Sequence, residues 1–530
     1  MINTPRATRG MVTSPHHLAS ASGLRVLAEG GNALEAMVAA AATVAVVYPH
    51  MNGLGGDNFW LIHVPGAAQP IAIDACGAAA RGARAEDYRA QGLHAIPTRG
   101  AGAALTVAGA VSGWQAALEH SAALGGRMPL ARLLEDAAWY ARNGIPVTAS
   151  QHANSAAKHA ELAAQPGFAD TFLHAGEAPR EGSLLRNPAL ALTLDALAAR
   201  GLDDFYRGRI ARACAAGLAA AGSPLREADL ASHRARRVTP LAVQLDGVRL
   251  CNLPPPTQGL ASLLILAQYQ RMRARAADGF DHLHRLVECT KTAFIVRDRE
   301  ITDPDYMDRD AASWLTPEAI GTLAAQVDAA RARPWPAPAA RGDTVWLAAV
   351  DRDGVAVSMI QSLYWEFGSG VVVPDTGIVW QNRGVSFSLD PAARNPLLPG
   401  RRPFHTIQPA LALFDDGRVM PYGCMGGEGQ PQSQAAVFSR YAWHGASLQQ
   451  AVSAPRWLLG RTWGDASSNL KVESRIDTAV LDALRAAGHE VQITGPFEEI
   501  MGHAGAIVRH RDGMLEGAAD PRGDGLVAAF

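Results

Sequence analysis

The sequence has few of the features that are typical of secreted proteins, of domains stabilised by a structural metal, or of membrane proteins. Its 5 cysteines are widely spaced and form no C-x-x-C pair, which argues against a disulfide framework or a zinc ribbon and predicts buried free thiols. No basic segment followed by an apolar stretch opens the chain, so no secretory signal is expected and a cytoplasmic location is predicted. The longest apolar tract, residues 36–47, is shorter than the roughly 20 residues of a membrane-spanning helix.

An excess of charge of one sign is also lacking. The chain carries 48 basic and 50 acidic residues, a net charge of −2, which argues against nucleic acid or an anionic membrane as partner and favours a small molecule. The turn at residues 53–56 completes neither a G-x-G-x-x-G nor a phosphate-loop motif, so no nucleotide cofactor is expected. No metal is expected either.

The predicted secondary structure changes from helices and a linker to strands near residue 344. Asn32 and Glu35 form a predicted capping box, residues 110–240 are mostly helical by period, and residues 324–342 are rich in Ala, Arg and Pro, which predicts a solvated, flexible linker. Strand patterns follow at 344–350, 355–363, 370–373 and 377–380. A linker that runs straight into a buried strand would place residue 344 where a new chain end can lie in a site.

Two histidine pairs offer a metal-dependent alternative. His282, His284 and Glu288 could be ligands of a metal-dependent amidohydrolase, but their surroundings have a helical period, and residues two apart on a helix do not share a face. His16 and His17 flank a predicted helix start. We interpret His282 and His284 as satisfied helix histidines and one of His16 and His17 as structural, since no third and fourth ligand follow at a recognisable spacing.

Thr344 is a candidate N-terminal nucleophile. Such a residue uses its own α-amino group, with a pKa near 8, as the base, so the chain must first be cut before it. Cleavage between Asp343 and Thr344 would give fragments 1–343 and 344–530. From the local sequence alone, a plain strand start is the better interpretation of Thr344.

An ordered series of motifs across nearly the whole chain changes that assessment, because it resembles the γ-glutamyltranspeptidase family. The motifs lie at residues 10–24, 30–40, 53–57, 254–259, 303–305, 343–358, 367–374, 399–404, 425–427, 454–456 and 520–522. The resemblance implies an α+β fold, the αββα sandwich of N-terminal-nucleophile hydrolases, autoprocessed from one precursor. It implies a large subunit 1–343 and a small subunit 344–530 that form one heterodimeric unit, and it leaves any higher oligomer open.

The resemblance also implies roles for single residues. Thr344 stands at the nucleophile, and the cleaved bond joins Asp343 to Thr344. Ser362 replaces a threonine whose hydroxyl contacts the nucleophile, so an orienting role is chemically intact. Gly426 and Gly427 fall at the oxyanion hole.

The substrate pocket departs from the family's pattern. The family holds the α-carboxylate and α-ammonium of a γ-glutamyl group with an arginine, an asparagine and an aspartate, and these positions are Cys76, Tyr364 and Ser386 here. Cysteine forms no bidentate bond to a carboxylate, and serine offers an ammonium no countercharge. Classical activity on glutathione is therefore not expected.

Compared with the family's pattern, this pocket carries its positive charge at a different position. Arg383 replaces a neutral amide, His405 and Thr406 replace two serines, and Trp365 and Trp380 are predicted aromatic walls. An arginine there suits a small acid whose carboxylate adjoins the scissile amide. This pattern is similar to the oxamate amidohydrolase branch of the family, as are residues 361–368, 380–389 and 460–464.

The predicted reaction is therefore hydrolysis of an oxamate-like amide to oxalate and ammonia, with Arg383, Tyr364, Ser386, His405 and Thr406 as substrate-binding residues. Three alternatives stay open: a γ-glutamyltranspeptidase or glutathione hydrolase, a cephalosporin (glutaryl) acylase, and an unprocessed, non-catalytic binding protein. For Arg383 the alternative is a structural ion pair.

Overall fold

Two seven-stranded antiparallel sheets form the centre of the molecule. The computed structural model describes residues 3–335, 343–460 and 469–530, with Asp343 by its backbone alone. The first sheet runs, edge to edge, through β21 (Leu526–Ala529), β2 (Gly10–Ser14), β10 (Asp343–Asp351), β11 (Ala356–Tyr364), β3 (Asp57–His63), β4 (Ile71–Ala75) and β7 (Arg236–Val238). The second runs through β1 (Arg6–Ala7), β20 (Leu515–Ala519), β19 (Ala504–Arg509), β15 (Val419–Cys424), β14 (Ala410–Phe414), β9 (Val248–Asn252) and β8 (Leu241–Leu245).

Three small ladders lie outside these sheets. They are β5 (Ile145–Pro146) with β6 (Leu184–Leu185), β12 (Val372–Val373) with β13 (Ile378–Val379), and β16 (Trp457–Leu459) with β17 (Leu470–Glu473) and β18 (Val491–Thr494). The strands predicted at 370–373 and 377–380 are thus real but shorter than expected.

Helices cover the outer face of each sheet. One hydrophobic cluster joins the first sheet to α1 (His17–Ala28), α2 (Ala33–Val47), α3 (Ala85–Ala90), α4 (Ala110–Ala123), α5 (Leu130–Asn143), α6 (Ala149–Leu162), α7 (Phe168–Phe172), α8 (Pro188–Arg200), α9 (Asp204–Arg207), α10 (Arg209–Ala221) and α11 (Glu227–Ser232). A second joins the other sheet to α12 (Gly259–Arg271), α13 (Phe280–Glu300), α14 (Pro317–Ala324), α15 (Gln430–His444), α16 (Leu448–Ser453) and α17 (Thr478–Ala486).

A third hydrophobic cluster fills the space between the sheets. Phe59, Trp346 and Ile360 of the first sheet pack there against Leu411 and Ile507 of the second. Four layers in the order helix, sheet, sheet, helix result, so the predicted αββα sandwich is confirmed.

The two segments on either side of residue 344 interleave in both sheets. β10 and β11 lie in the middle of the first sheet, between β2 and β3 from the upstream segment. Neither segment has a complete sheet of its own, so the two parts fold as one unit.

Several local predictions are confirmed. Asn32 and Glu35 form the capping box of α2. Each of the five cysteines is buried and free of disulfide bonds. Among the described residues no helix is both long and apolar enough to cross a membrane.

The linker prediction is confirmed for solvent exposure, since most of residues 325–335 are exposed, but this segment is also held by specific contacts. Backbone N–H groups of Ala332 and Arg333 donate to Ala487 O at 2.7 Å and to Glu288 Oε2 at 3.0 Å. Trp335 packs against the ring of Phe294. These contacts anchor residues up to 335, and residues 336–342 lie outside the described part of the chain.

Two of the recognised motifs meet in a buried ion-pair network. Arg456 and Arg522 both pair with Asp520, and Arg522 Nε lies 2.6 Å from Glu473 Oε1. Burial alone would raise the pKa of Asp520, but the two arginines lower it to about 2. The network ties the residue before β16 and the end of β17 to the loop after β20.

Replacing Asp520 by asparagine is expected to destabilise the fold by roughly 3–5 kcal/mol, because two buried guanidinium groups lose their shared carboxylate. In the parent, the ionised Asp520 carboxylate raises the free energy of unfolding at every pH above the pKa that it has in the unfolded chain. This stabilisation is lost as the pH falls through about 2, its pKa in the folded protein. Urea unfolding of Asp520→Asn measures the loss, with Thr344→Ala added to parent and variants so that the chain stays uncut and its unfolding unimolecular. Asp482→Asn, which removes an exposed ion pair with Arg485, is the control and is expected to change stability by under about 0.5 kcal/mol.

Candidate active site

Thr344 lies opposite a β-bulge near the start of β10. Asp343 pairs with Tyr364 and Val345 pairs with Gln361, so Thr344 faces both Ser362 and Leu363 of β11. Bulges re-aim side chains and occur often beside active sites. The side chain of Thr344 is completely buried.

The Thr344 hydroxyl contacts a polar group from each side of the sandwich. Its Oγ1 donates to Ser362 Oγ at 3.4 Å and accepts from Gln430 Nε2 at 3.4 Å. Ser362 Oγ also accepts the N–H of Tyr364 at 2.8 Å. The φ of +83° at Tyr364 is unusual for a non-glycine residue and belongs to this bulge. Ser362 is therefore held against the candidate nucleophile.

Gly426 and Gly427 form a left-handed turn directly after β15. Their φ angles are +114° and +52°, which glycine adopts without the penalty of a Cβ atom. Gln258 Nε2 donates to Gly427 O at 2.9 Å, and Gln258 Oε1 accepts from Arg297 Nη1 at 2.9 Å. The turn is thus fixed from behind by a buried amide, itself fixed by a buried arginine.

Arg383 is a fully buried cation with free hydrogen-bonding capacity. Its guanidinium carbon lies 3.9 Å from the centre of the Tyr364 ring, and Nη1 donates to Thr406 Oγ1 at 3.4 Å. Nε and Nη2 have no hydrogen-bond partner among the described residues. Burial lowers its pKa to about 10, against the raising influence of Tyr364 and Asp57. The group is charged at neutral pH and makes no ion pair within the described residues.

Asp57 and His405 lie beside this guanidinium. Asp57 Oδ1 accepts the N–H groups of Gly77 at 3.1 Å and Gly109 at 2.9 Å, and Oδ2 lies 3.6 Å from His405 Nε2. Burial raises the pKa of Asp57 to about 7, although Arg383 lowers it. Burial, with Arg383 and Arg402, holds the pKa of His405 well below its usual value, so the imidazole is neutral.

Other predicted pocket residues support Arg383 or lie elsewhere. Ser386 Oγ donates to Arg383 O at 3.0 Å and so closes the turn that carries the arginine. The prediction of Trp380 as a pocket wall is wrong, because its indole N–H donates to Thr106 O at 2.9 Å and its ring stacks on Phe205 in the helical core. Trp365 lies against the guanidinium of Arg99.

Cys76 borders a cavity of about 310 Å³ near the site. Burial raises the pKa of its thiol well above the usual value, so the thiol is neutral. Arg402 also borders the cavity, but it pairs with Asp74 at 3.2 Å and Asp303 at 2.6 Å. The lining is mainly basic, with Arg81, Arg234 and Arg236 beside the single carboxylate of Asp229.

The possible metal ligands are bound to one another and to the segment upstream of residue 335. His282 faces Ser439, whereas His284 Nδ1 lies 2.8 Å from His489 Nε2, so the two histidines do not share a face, as predicted. His284, Glu288 and His489 do form a compact group. However, Lys291 Nζ lies 2.7 Å from Glu288 Oε1, so the carboxylate that a metal would need is already in an ion pair.

A threonine at the head of a central strand, buried between two antiparallel sheets that helices enclose, is the arrangement of the N-terminal-nucleophile hydrolases. The sequence profile described as gamma-glutamyltranspeptidase matches residues 19–530. The chain belongs to that family and is a hydrolase, which confirms the resemblance found in the motifs.

Three relatives show where in the family the chain lies. It is 58% identical over 525 residues, 99% of each chain, to a protein of Klebsiella pneumoniae named oxamate amidohydrolase proenzyme. It is 40% identical, over 99% of each chain, to the glutathione hydrolase-like YwrD proenzyme of Bacillus subtilis. A solved cephalosporin acylase from Bacillus halodurans superposes with a TM-score of 0.91 at 34% identity, over 100% of this chain and 97% of that one.

Three residues of the site were missed by sequence reasoning, two of them, Gln258 and Asp57, inside recognised motifs. Gln258 follows a triple proline, Gln430 begins a helix, and Asp57 ends the glycine turn. Only Asp57 carried a readable signal, a carboxylate directly before an apolar strand. Of the family-specific segments, residues 461–464 lie outside the described part of the chain.

Gly426→Ala is expected to lower the rate of amide hydrolysis by a larger factor than it lowers the fraction of protein that is folded. A Cβ atom at φ +114° is strained, at about 1–2 kcal/mol, and it would lie 3.3 Å from Gly502 Cα, so the backbone N–H groups of the turn would shift. Gly445→Ala, also at positive φ but in open space at the end of α15, is the control. Equal effects of both variants on turnover per folded molecule would contradict a role for the Gly426 turn.

Proposed function

We propose that this protein is an autoprocessing amidohydrolase that cleaves a small, oxamate-like amide through an acyl-enzyme on Thr344. The proposal rests on the Arg383 guanidinium. It is buried and charged, and its Nε and Nη2 have no hydrogen-bond partner among the described residues. It is coupled to the nucleophile through Tyr364, whose ring lies against Arg383 and whose N–H binds Ser362. A carboxylate bound there leaves an adjoining amide near Thr344.

The first step is self-cleavage. Thr344 Oγ attacks the carbonyl carbon of Asp343, the acyl group moves from nitrogen to oxygen, and water hydrolyses the ester. The large subunit 1–343 then ends in a carboxylate, and the small subunit 344–530 begins with the free α-amino group of Thr344. Because β10 lies between β2 and β11, the fragments stay together as a heterodimer.

The mature site then hydrolyses substrate in two steps. The α-amino group, with a pKa near 8, takes the hydroxyl proton, Oγ attacks the amide carbon, and the proton passes to the leaving nitrogen as ammonia departs. Water then attacks the ester, releases oxalate and restores the hydroxyl. Ser362 orients Oγ, and the N–H groups of Gly426 and Gly427 stabilise the oxyanion, each donor contributing about 3–4 kcal/mol.

Several observations favour a short acid as the substrate. Arg383 is buried against Tyr364, with Thr406 at Nη1 and neutral His405 beside it, so the carboxylate site lies deep. The mainly basic lining of the cavity near Cys76 attracts anions. The relative that is 58% identical is named for oxamate. A glutaryl-cephalosporin, suggested by the acylase with the similar fold, would also present a carboxylate and is the second candidate.

Processing is expected to depend on the Thr344 side chain. On a denaturing gel the parent should give fragments of 343 and 187 residues, together the 530 of the precursor, with the shorter beginning Thr-Val-Trp. Thr344→Ala should stay intact, because no hydroxyl can accept the acyl group, whereas Thr344→Ser should still be cut. A parent protein that is fully active as one uncut chain would contradict the mechanism and favour another class of protein.

Arg383→Gln is expected to lower kcat/KM for oxamate by roughly 30-fold or more, the effect of removing a buried, hydrogen-bonded charge partner. Uncharged ethyl oxamate supplies the matched control, since its hydrolysis should change far less. Ammonia release from oxamate, a γ-glutamyl anilide and a glutaryl-cephalosporin compares the candidate functions. A clear preference for the γ-glutamyl donor would overturn the proposed substrate.

A further inference from the structure

Polar atoms without partners are concentrated at one buried spot beside the nucleophile. They are His405 Nδ1 and Nε2, Arg383 Nε and Nη2, Asp57 Oδ2 and Gln381 Oε1, none with a hydrogen bond of good geometry among the described residues. The Gln381 side chain nevertheless faces Asp57 and lowers its pKa. All four side chains have no solvent exposure. Because buried polar groups are almost always paired, such a cluster indicates the binding place of a polar ligand.

Asp57 is fixed close to the reacting atoms. It is the cross-strand partner of Ser362 in the β3–β11 ladder, and opposite residues of an antiparallel pair have Cβ atoms about 4.5–5.5 Å apart. Ser362 in turn contacts Thr344. Two glycine N–H groups hold Oδ1, so Oδ2 is presented toward His405 and the Arg383 side of the site without freedom to rotate away.

The charges around this carboxylate are few. Arg383 carries the positive charge, and His405 is neutral because burial lowers its pKa. The Cys76 thiol and the Tyr206 phenol, which also interact with Asp57, are neutral because burial raises their pKa values. The ionisation of Asp57 therefore decides whether the spot has a net charge near +1 or near zero.

We propose that Asp57 is a specificity-determining residue that lets the site distinguish its amide substrate from its acid product. The proposal rests on the proposed function and extends it to product release. Oxamate is a monoanion with one carboxylate for Arg383 and an amide that donates N–H. Hydrolysis exchanges the amino group for a second carboxylate oxygen, so oxalate is a dianion that only accepts hydrogen bonds.

An ionised Asp57 treats these two molecules in opposite ways. Its Oδ2 accepts an N–H of the bound amide, whereas it repels the second carboxylate that the reaction creates, and like charges in contact disfavour binding strongly. The site thereby binds a monoanion and expels a dianion. The Asp57 pKa of about 7 makes this discrimination stronger as the pH rises from 6 to 7.5, because the carboxylate becomes ionised over that range.

The test measures oxalate as a competitive inhibitor of oxamate hydrolysis and oxalate binding by calorimetry, in the processed parent and in Asp57→Asn. The ratio of the oxalate Ki to the oxamate KM is expected to fall at least tenfold in Asp57→Asn. Between pH 6 and 7.5 this ratio should rise clearly more steeply in the parent than in Asp57→Asn, where the α-amino group of Thr344, with a pKa near 8, is the titrating group that remains beside the ligand. A role of Asp57 in folding alone would change expression or stability without changing this ratio.

Asp351→Asn is the matched control. Asp351 is a buried carboxylate at the far end of β10 that accepts backbone N–H groups of Ala33 and Val355, and burial raises its pKa too. The ratio of the oxalate Ki to the oxamate KM in Asp351→Asn should equal that of the parent.

Tighter oxalate binding confined to Asp57→Asn supports the proposal, and unchanged oxalate affinity in Asp57→Asn overturns it. If Asp57→Asn does not fold, a parent ratio that is flat between pH 6 and 7.5 overturns it instead. A parent enzyme that releases no ammonia from oxamate contradicts the proposed function, while oxalate calorimetry still tests Asp57.

Discussion

A buried positive charge that contacts no counter-ion within the described part of the chain is the constraint around which this site is arranged. Desolvating the Arg383 guanidinium is costly unless other groups compensate, and here the compensation is indirect. The face of Tyr364 lies under the cation, Ser386 closes the turn that carries it, and Asp57 interacts with it electrostatically. A bulge opposite Thr344 sets the position of Tyr364, so the same distortion of β11 places both the hydroxyl and the cation.

The architecture explains why residues far apart in sequence meet in one place. β3 and β11 bring Asp57 opposite Ser362 within the first sheet. The second sheet supplies the Gly426 turn from the end of β15, and the loop before β14 supplies Thr406. Gln258, after β9, bridges these two loops by donating to the carbonyl oxygens of both. One amide side chain thus couples the carboxylate-binding side of the site to the glycine turn.

The sequence allowed the fold to be predicted and pointed to Thr344 as the candidate nucleophile, because ordered motifs and strand patterns are local signals. It did not reveal the partners of those motifs. Asp303 and Asp74 neutralise Arg402, a pairing between distant loops that no spacing announces. The loss of negative charge at Ser386 was readable, but the position of Asp57 opposite Ser362 was not, since it depends on strand register. The Ala- and Pro-rich stretch is largely exposed, as its composition indicated, but composition gave no sign that Glu288 and Lys291 bind its backbone.

The central place of β10 in the first sheet also has a thermodynamic consequence. Before the proposed scission the molecule folds in a unimolecular reaction, whereas after it the same sandwich would have to assemble from two chains that each lack three or four strands of both sheets. Refolding of the proposed mature protein would then be bimolecular, and its persistence would depend on the height of the unfolding barrier rather than on an equilibrium. The mature form would in this sense be a kinetically retained product of the precursor's fold.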